Sequence, residues 1–347
     1  MSVAVIYHDD YARQDTDDDP ELSDRAYAVG VAISDAELPN VVLVEPQPAS
    51  PEVVALVHPA SHINRIRELA ASGGGFADAE TAVREASYDV ALLAVGGTIA
   101  AVNLVNRRRF DSAFAIVRPP GHHATPDRAG GFCLFNNVAI AARYARTTLG
   151  LERVLILDYD VHHGNGTQAI FEDDPSVLYA SIHQHPLYPG TGQIYENGRG
   201  PGRGYNVNVP IPAGVGDEGY LRVFDEVFRP LVASFRPQLL LVSAGYDPHW
   251  RDPLALEDVT VAGFGQMAAR LRDWANEWVD GKLVMVLEGG YDLETLAQSA
   301  LATVAEMAGA GWEDTIGPPP PGRGQTEVGP TIAQVRVAHP WWFSQRT

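Results

Sequence analysis

Residues 160–162 read Asp-Val-His. At the end of a strand, positions i and i+2 point to the same side. Asp160 and His162 therefore present a carboxylate and an imidazole together, a donor pair suited to a zinc-type ion. Two ligands leave the set incomplete, and Asp247, in Ser-Ala-Gly-Tyr-Asp after another apolar run, is the candidate third. Three protein ligands leave a position open for water and substrate, which is a catalytic arrangement. The competing reading makes Asp160 the cap of a helix starting near Gly164 and puts Asp247 in an ordinary turn. Their joint occurrence at strand ends favours the metal.

His122 and His123 follow Arg118-Pro119-Pro120-Gly121, a rigid turn that fixes adjacent side chains. Two imidazoles near an activated water supply a general base and an electrostatic or acidic partner. Each needs an orienting acceptor on its far nitrogen, and Asp158 and Asn165 are the available groups. Glu288-Gly289-Gly290-Tyr291 ends a further apolar run. The glycines allow a close backbone approach, and a tyrosine hydroxyl delivered there can donate to a developing oxyanion. Taken alone, a buried tyrosine after a tight turn explains Tyr291 equally well.

These clusters all sit after short apolar runs: Ala113–Val117, Val154–Leu157, Val177–Ile182, Leu239–Val242 and Leu283–Leu287. Continuous apolar runs of this length read as strands buried on both faces, as in parallel sheets. Helical patterns such as Val138–Leu149 and Phe264–Val279 lie between them. Strands alternating with helices predict an α/β fold with a central, mostly parallel sheet flanked by helices. Ligands of such sheets bind beyond the carboxyl ends of the strands, so one shared site is expected.

The charge balance is 25 basic against 44 acidic residues, −19 in all. Such a surface repels phosphate backbones and argues against a nucleic-acid scaffold. It would suit cationic substrates, although solubility or a saline habitat explains it more simply. The single cysteine, Cys133, rules out an internal disulfide and any cysteine-based zinc cluster. The N-terminus lacks a basic n-region, and no stretch approaches the roughly 18 apolar residues of a membrane span. A cytoplasmic enzyme without a membrane partner is expected. Residues 8–24 are rich in aspartate and are expected to form a loop near the mouth of the site. Residues 317–324 (GPPPPGRG) cannot be regular structure. A catalytic domain over residues 1–312 is expected, followed by a tail over 313–347. The tail's Trp341, Trp342 and Phe343 should dock on the body or on a partner subunit, since exposed they favour association.

The ordered set RPPGHHA, GGFCLFNN, DYDVHHGNGTQ, SIHQHPLYPGTG, SAGYDPHWRDPL and LEGGYDL resembles the zinc-dependent histone deacetylase family. More broadly it is similar to acetylpolyamine amidohydrolases and bacterial deacetylase-like amidohydrolases. The resemblance covers roughly residues 1 to 310. It implies the arginase–deacetylase fold as a single domain, with one zinc, or iron(II), held by Asp160, His162 and Asp247. It further implies that water on the metal attacks an amide carbonyl polarised by the metal and Tyr291. His123 would serve as general base and then protonate the leaving amine, while His122 stays charged, oriented by Asp158. Phe132 and Tyr188 would wall an acyl-lysine tunnel floored by Gly131.

The resemblance also implies a structural potassium ion held by the Asp158 carboxylate, the Ser181 hydroxyl and the carbonyls of Asp160, His162 and Ile182. An outer monovalent site would use the carbonyls of Phe171, Asp174, Val177 and Tyr205. Two departures bear on chemistry. Asn165 stands where class I enzymes carry an aspartate, as in class II-like enzymes, and it cannot stabilise an imidazolium by charge, so His123 should be less basic. Tyr188 stands where phenylalanine is common. Leu254, after Asp252-Pro253, matches lysine deacetylases rather than the glutamate of the polyamine-selective eukaryotic member. The substrate stays open between acyl-lysine in protein or peptide, acetylpolyamine and other small amides. A homo-oligomer, dimer or tetramer, is expected. A binuclear ureohydrolase is a rival, but no second carboxylate follows Asp247 at i+2 and ligands for two metals are too few. A non-catalytic acyl-lysine reader is another, although such a scaffold would be free to lose a ligand, a histidine or the tyrosine, and none is lost.

Overall fold

A computed structural model describes residues 1–16 and 20–343. Ten strands are present among the described residues: β1 Val3–Ile6, β2 Val41–Val44, β3 Gly75–Phe76, β4 Ala82–Val83, β5 Ser112–Ala115, β6 Val154–Asp158, β7 Val177–Gln184, β8 Asn206–Ile211, β9 Leu239–Ala244 and β10 Leu283–Leu287. Strands β3 and β4 form a separate hairpin. The other eight make one sheet in the order β2-β1-β5-β10-β9-β6-β7-β8, with every neighbouring pair parallel.

The five apolar runs become β5, β10, β9, β6 and β7, which are consecutive in the sheet. Their residues are buried because helices cover both faces of a parallel sheet. Strands β1, β2 and β8 extend this centre on either side. The first two carry only four residues each, too short to announce themselves as periodic segments. Caps fix the helices that follow the strands. Asn136 accepts from the Ala139 N–H ahead of helix Asn137–Thr147, and Asp292 accepts from the Thr295 N–H ahead of helix Leu293–Ala308. The second cap places Tyr291 one residue before the cap of its helix, at the carboxyl edge of the sheet.

One expectation is corrected. Helix Ser87–Asn106 has 20 residues and is long and apolar enough to cross a membrane. The reason lies in its position: it packs against β1, β5 and helix Asn137–Thr147, and 67% of its most apolar stretch is buried. Most of its apolarity serves the core.

Residues 317–324 carry no helix or strand. Helices Gly329–Ala338 and Pro340–Phe343 then return to the body, the first against β8. The Trp342 indole N–H donates to the Gly204 carbonyl at 2.8 Å, and its ring meets Tyr205 and Phe235 edge-on. Phe343 packs on the same core, whereas Trp341 remains 46% exposed. In the aspartate-rich N-terminal segment, Asp9–Arg13 form a turn of 3₁₀ helix. Asp17, Asp18 and Asp19 lie outside the described residues, and Pro20 borders a cavity at the carboxyl edge of the sheet.

Candidate active site

The carboxyl ends of β6, β9 and β10 meet at Asp160, His162, Asp247 and Gly289. One potential ligand atom from each of Asp160, His162 and Asp247 lies within 4.8 Å of the other two, and all three residues are buried. Each carboxylate has an oxygen held by the backbone, and Asp160 has both, since its Oδ1 accepts from the His162 N–H at 2.9 Å. Asp160 Oδ2 accepts from the Gly289 N–H at 2.7 Å, and Asp247 Oδ1 accepts from the Val161 N–H at 3.0 Å. The other oxygens converge on His162 Nδ1, at 3.2 Å from Asp160 Oδ1 and 3.0 Å from Asp247 Oδ2. A Cβ on Gly289 would lie 2.2 Å from Asp247 Oδ2 and 2.6 Å from Asp160 Oδ2. Only glycine lets the backbone close this side of the cradle.

The electrostatics of the bare cradle show what it is built for. Burial and the neighbouring charge of Asp160 push Asp247 up to about 6. Burial disfavours the charged form of His162, but hydrogen bonds to Asp160 and Asp247 outweigh it and raise the imidazole to about 10. Against the cost of burial, His122 and His162 hold Asp160 itself low, so two buried carboxylates repel each other across one imidazolium. A divalent cation among the same three donors relieves that repulsion, so the residues fit a metal.

The two adjacent histidines occupy opposite environments. His122 Nδ1 lies 3.1 Å from Asp158 Oδ2, and its pKa rises to about 10 because Asp160, Asp158 and Glu288 outweigh the cost of burial. His123 Nδ1 lies 2.8 Å from Asn165 Oδ1. Burial, together with the charges of His122 and His162, holds it well below the ordinary histidine value. It is therefore neutral, with Nδ1–H donating to the amide oxygen and Nε2 left free as an acceptor. Asp158 also accepts from the Tyr179 hydroxyl at 2.9 Å and from the Asp160 N–H at 3.2 Å, which fixes its position.

A cavity of about 310 Å³ leads to this centre. His123, His162 and Tyr291 line its inner end, Phe132, Tyr188 and Leu254 its walls, and Pro20 and Glu80 its outer end. Gly131 also borders it, in a left-handed conformation (φ +53°). A Cβ at Gly131 would lie 2.3 Å from His123 Cδ2, so the backbone runs directly against the imidazole. The Tyr188 ring stands perpendicular to His123, centroids 5.0 Å apart. The Tyr291 ring meets Phe132 at 6.0 Å and carries the Arg25 guanidinium 4.9 Å from its centroid. Burial and the Asp247 and Asp160 charges raise the Tyr291 hydroxyl, outweighing Arg25, so it remains a donor.

The residues expected to hold monovalent cations are also neighbours. Asp158 and Ser181 pair across β6 and β7, with Ile182 next along the strand. The Ser181 hydroxyl lies 2.8 Å from His183 Nδ1. In the outer set, the carbonyls of Phe171 and Asp174 accept turn hydrogen bonds from Asp174 and Val177, and that of Tyr205 accepts from the Tyr179 N–H.

Several supporting residues escaped the sequence reading. Glu288, fully buried, accepts from the Gly121 and His122 N–H groups at 2.6 and 3.1 Å and from the Ser243 hydroxyl at 2.9 Å, tying the histidine turn to β9 and β10. A carboxylate ending an apolar strand was the available signal. Arg25 donates to the Gly290 and Glu288 carbonyls, both at 2.6 Å, beneath Tyr291. It shares Glu21 with Arg118 of the histidine turn. A lone arginine in a helix gives no such signal in sequence.

A buried Asp-His-Asp cradle, a charged and a neutral histidine, and a tyrosine donor at the carboxyl edge of a parallel sheet define a hydrolase-type centre able to hold a metal. The comparisons agree. Residues 19–307 match the family model of the histone deacetylase domain. A probable deacetylase from Archaeoglobus fulgidus is 43% identical over 314 residues, 89% of this chain and 87% of that protein. A histone deacetylase-like amidohydrolase from Pseudomonas aeruginosa is 41% identical over 263 residues, covering 76% and 69%. The crystal structure of the HDA15 HD domain superposes with a TM-score of 0.88 at 33% identity, over 98% of this chain and 97% of that one. The chain belongs to the histone deacetylase family, and its fold is the arginase–deacetylase fold.

Proposed function

We propose that the protein is a zinc-dependent amidohydrolase that removes acetyl or related acyl groups from lysine side chains. The observation that carries this is the pairing of the open Asp160–His162–Asp247 cradle with two histidines of opposite charge at one end of an apolar cavity. A divalent ion held by these three residues would polarise the amide carbonyl and lower the pKa of water. His123, neutral and with Nε2 free, takes the proton from the attacking water and returns it to the leaving amine. His122, kept charged beside Asp158, stabilises the negative charge that develops next to it. The Tyr291 hydroxyl donates to the oxyanion. Phe132, Tyr188 and Leu254 surround the aliphatic stem of the substrate and exclude water.

Leu254 in the cavity wall supports acyl-lysine over acetylpolyamine, because it offers no charge to a second amine. Potassium at Asp158, Asp160, His162, Ser181 and Ile182 would steady the β6 and β7 ends beneath the cradle.

The test is a metal-reconstitution assay with a fluorogenic acetyl-lysine peptide and an acetylpolyamine side by side. Chelation should abolish hydrolysis, about one equivalent of zinc should restore it, and a hydroxamate should inhibit it. Two tightly bound metal ions, or full activity in Asp247→Ala, refutes the assignment. Faster turnover of the polyamine would transfer the reading to that substrate.

A further inference from the structure

Tyr291 has a demanding position. Among the described residues its hydroxyl makes no hydrogen bond within the protein, so nothing at the end of the side chain fixes it. It follows Gly289-Gly290, and Gly290 is in a conformation open only to glycine (φ +117°). A side chain on such a turn is held where the backbone is held. Arg25 and Phe132 flank the ring, the start of the turn is held at Gly289 by Asp160 and the Tyr246 N–H, and three further groups hold the backbone next to Tyr291. The Gly290 carbonyl accepts from Arg25, Asp292 caps the following helix, and the Tyr291 N–H itself donates to Asp252 Oδ2 at 2.7 Å.

Asp252 lies in the loop after β9, 39 residues earlier in the chain. It is 7% exposed, and its other oxygen, Oδ1, accepts from the Leu254 N–H at 2.9 Å. One carboxylate thus ties the turn that carries Tyr291 to the loop that carries a wall of the cavity. A second, more exposed tie runs in parallel, where Arg251 pairs with Asp292 and Glu294. That tie reaches the helix cap, not the Tyr291 backbone, so it cannot replace the contact to the Tyr291 N–H. Asp252 is also not one of the three converging donors of the cradle.

We infer that Asp252 is the positioning residue that seats Tyr291 at the inner end of the cavity and locks that seat to the Leu254 wall. The inference rests on the proposed hydrolase reading and adds to it a residue that touches neither metal nor substrate. Removing the carboxylate leaves the Tyr291 N–H without its acceptor. The glycine turn can then relax and withdraw the hydroxyl, while the cradle and the histidines keep their own partners.

The experiment is a double-mutant cycle on Asp252→Ala and Tyr291→Phe, with metal content checked in every variant. Asp252→Ala should lower kcat by about ten- to a thousandfold, no more than Tyr291→Phe does, with KM changed less than about threefold. In the Tyr291→Phe background it should cost little more, since the hydroxyl it positions is already gone. Asp252→Asn, which keeps one acceptor oxygen, should fall between wild type and Asp252→Ala, and it decides the matter if the alanine variant does not fold. Near-wild-type kcat in Asp252→Ala, or two losses that multiply in the double variant, overturns the inference. If the wild-type protein hydrolyses neither acetyl-lysine nor acetylpolyamine, the function fails separately. The seat is then read from hydroxamate binding by calorimetry, where losses in the two single variants that do not add support it and losses that add refute it.

Discussion

Replacing Asn165 by aspartate tests how the two histidines divide their work. The change exchanges an amide for a carboxylate of nearly the same shape, with its oxygen 2.8 Å from His123 Nδ1. In the wild-type protein burial and the positive charges of His122 and His162 hold His123 well below the ordinary histidine value. The acidic limb of kcat/KM should therefore lie below pH ~6.5, the unperturbed value. A carboxylate at hydrogen-bond distance favours the imidazolium and typically moves a partner by about one to three pH units. That equals about 1.4–4 kcal/mol of proton affinity, within the ~4 kcal/mol that two charges ~4 Å apart exchange at an effective dielectric of 20. Asn165→Asp should thus carry the acidic limb upward by about one to three pH units. At pH 6 the variant should be slower than wild type, because its base is protonated before it can act. The assay is kcat/KM for an acetyl-lysine peptide between pH 4.5 and 9 at constant ionic strength, with metal content verified. A limb that stays in place, or moves down, in an active and metal-loaded variant refutes the assignment of His123 as the base.

Tyr291→Phe should lose about 10²–10³ in kcat yet retain metal and the acidic limb; turnover close to wild type removes the oxyanion role. Gly131→Ala forces a Cβ to within 2.3 Å of the His123 ring on a left-handed backbone, so it should cut kcat at least about tenfold while one equivalent of metal stays bound; unchanged kinetics would show that the imbalance is absorbed elsewhere. His58 is fully buried, and its ring spans the Pro126 carbonyl and the Asn136 N–H at 3.0 and 2.9 Å. Burial, and then His62, lowers it to about 4. The unfolded chain binds the extra proton first, so folding stability should fall as pH drops from about 6.5 to about 4, by up to ~3 kcal/mol from this group. His58→Gln should flatten the denaturation midpoint over that window, and an equally steep profile contradicts the account.

Much of this centre was legible in the residues. Carboxylate and imidazole two positions apart after an apolar run signalled a shared ligand pair, although β6 ends at Asp158 and it is the bend beyond it, not the strand pleat, that brings Asp160 and His162 together. The five runs announced five buried parallel strands. The acceptors for His122 and His123, Asp158 and Asn165, are the pair anticipated from the local motifs, and the structure places each against its own histidine. The apolar stretch of Ser87–Asn106 shows the opposite case: its residues alone do not distinguish a core helix from a membrane helix, and packing against β1 and β5 does.

What only the tertiary structure decided is adjacency and its electrical consequences. The chain order of the clusters says nothing of the order β5-β10-β9-β6-β7, which is fixed by how crossovers bury both faces of the sheet. That order brings Glu288 under the His122 turn, Arg25 under Tyr291, and Asp252 to the Tyr291 N–H across 39 residues. It also separates two neighbouring histidines into one charged and one neutral. Sequence supplies the donors and their local spacing; protonation state depends on burial and on charges a few ångströms away, and those distances exist only once the strands lie side by side.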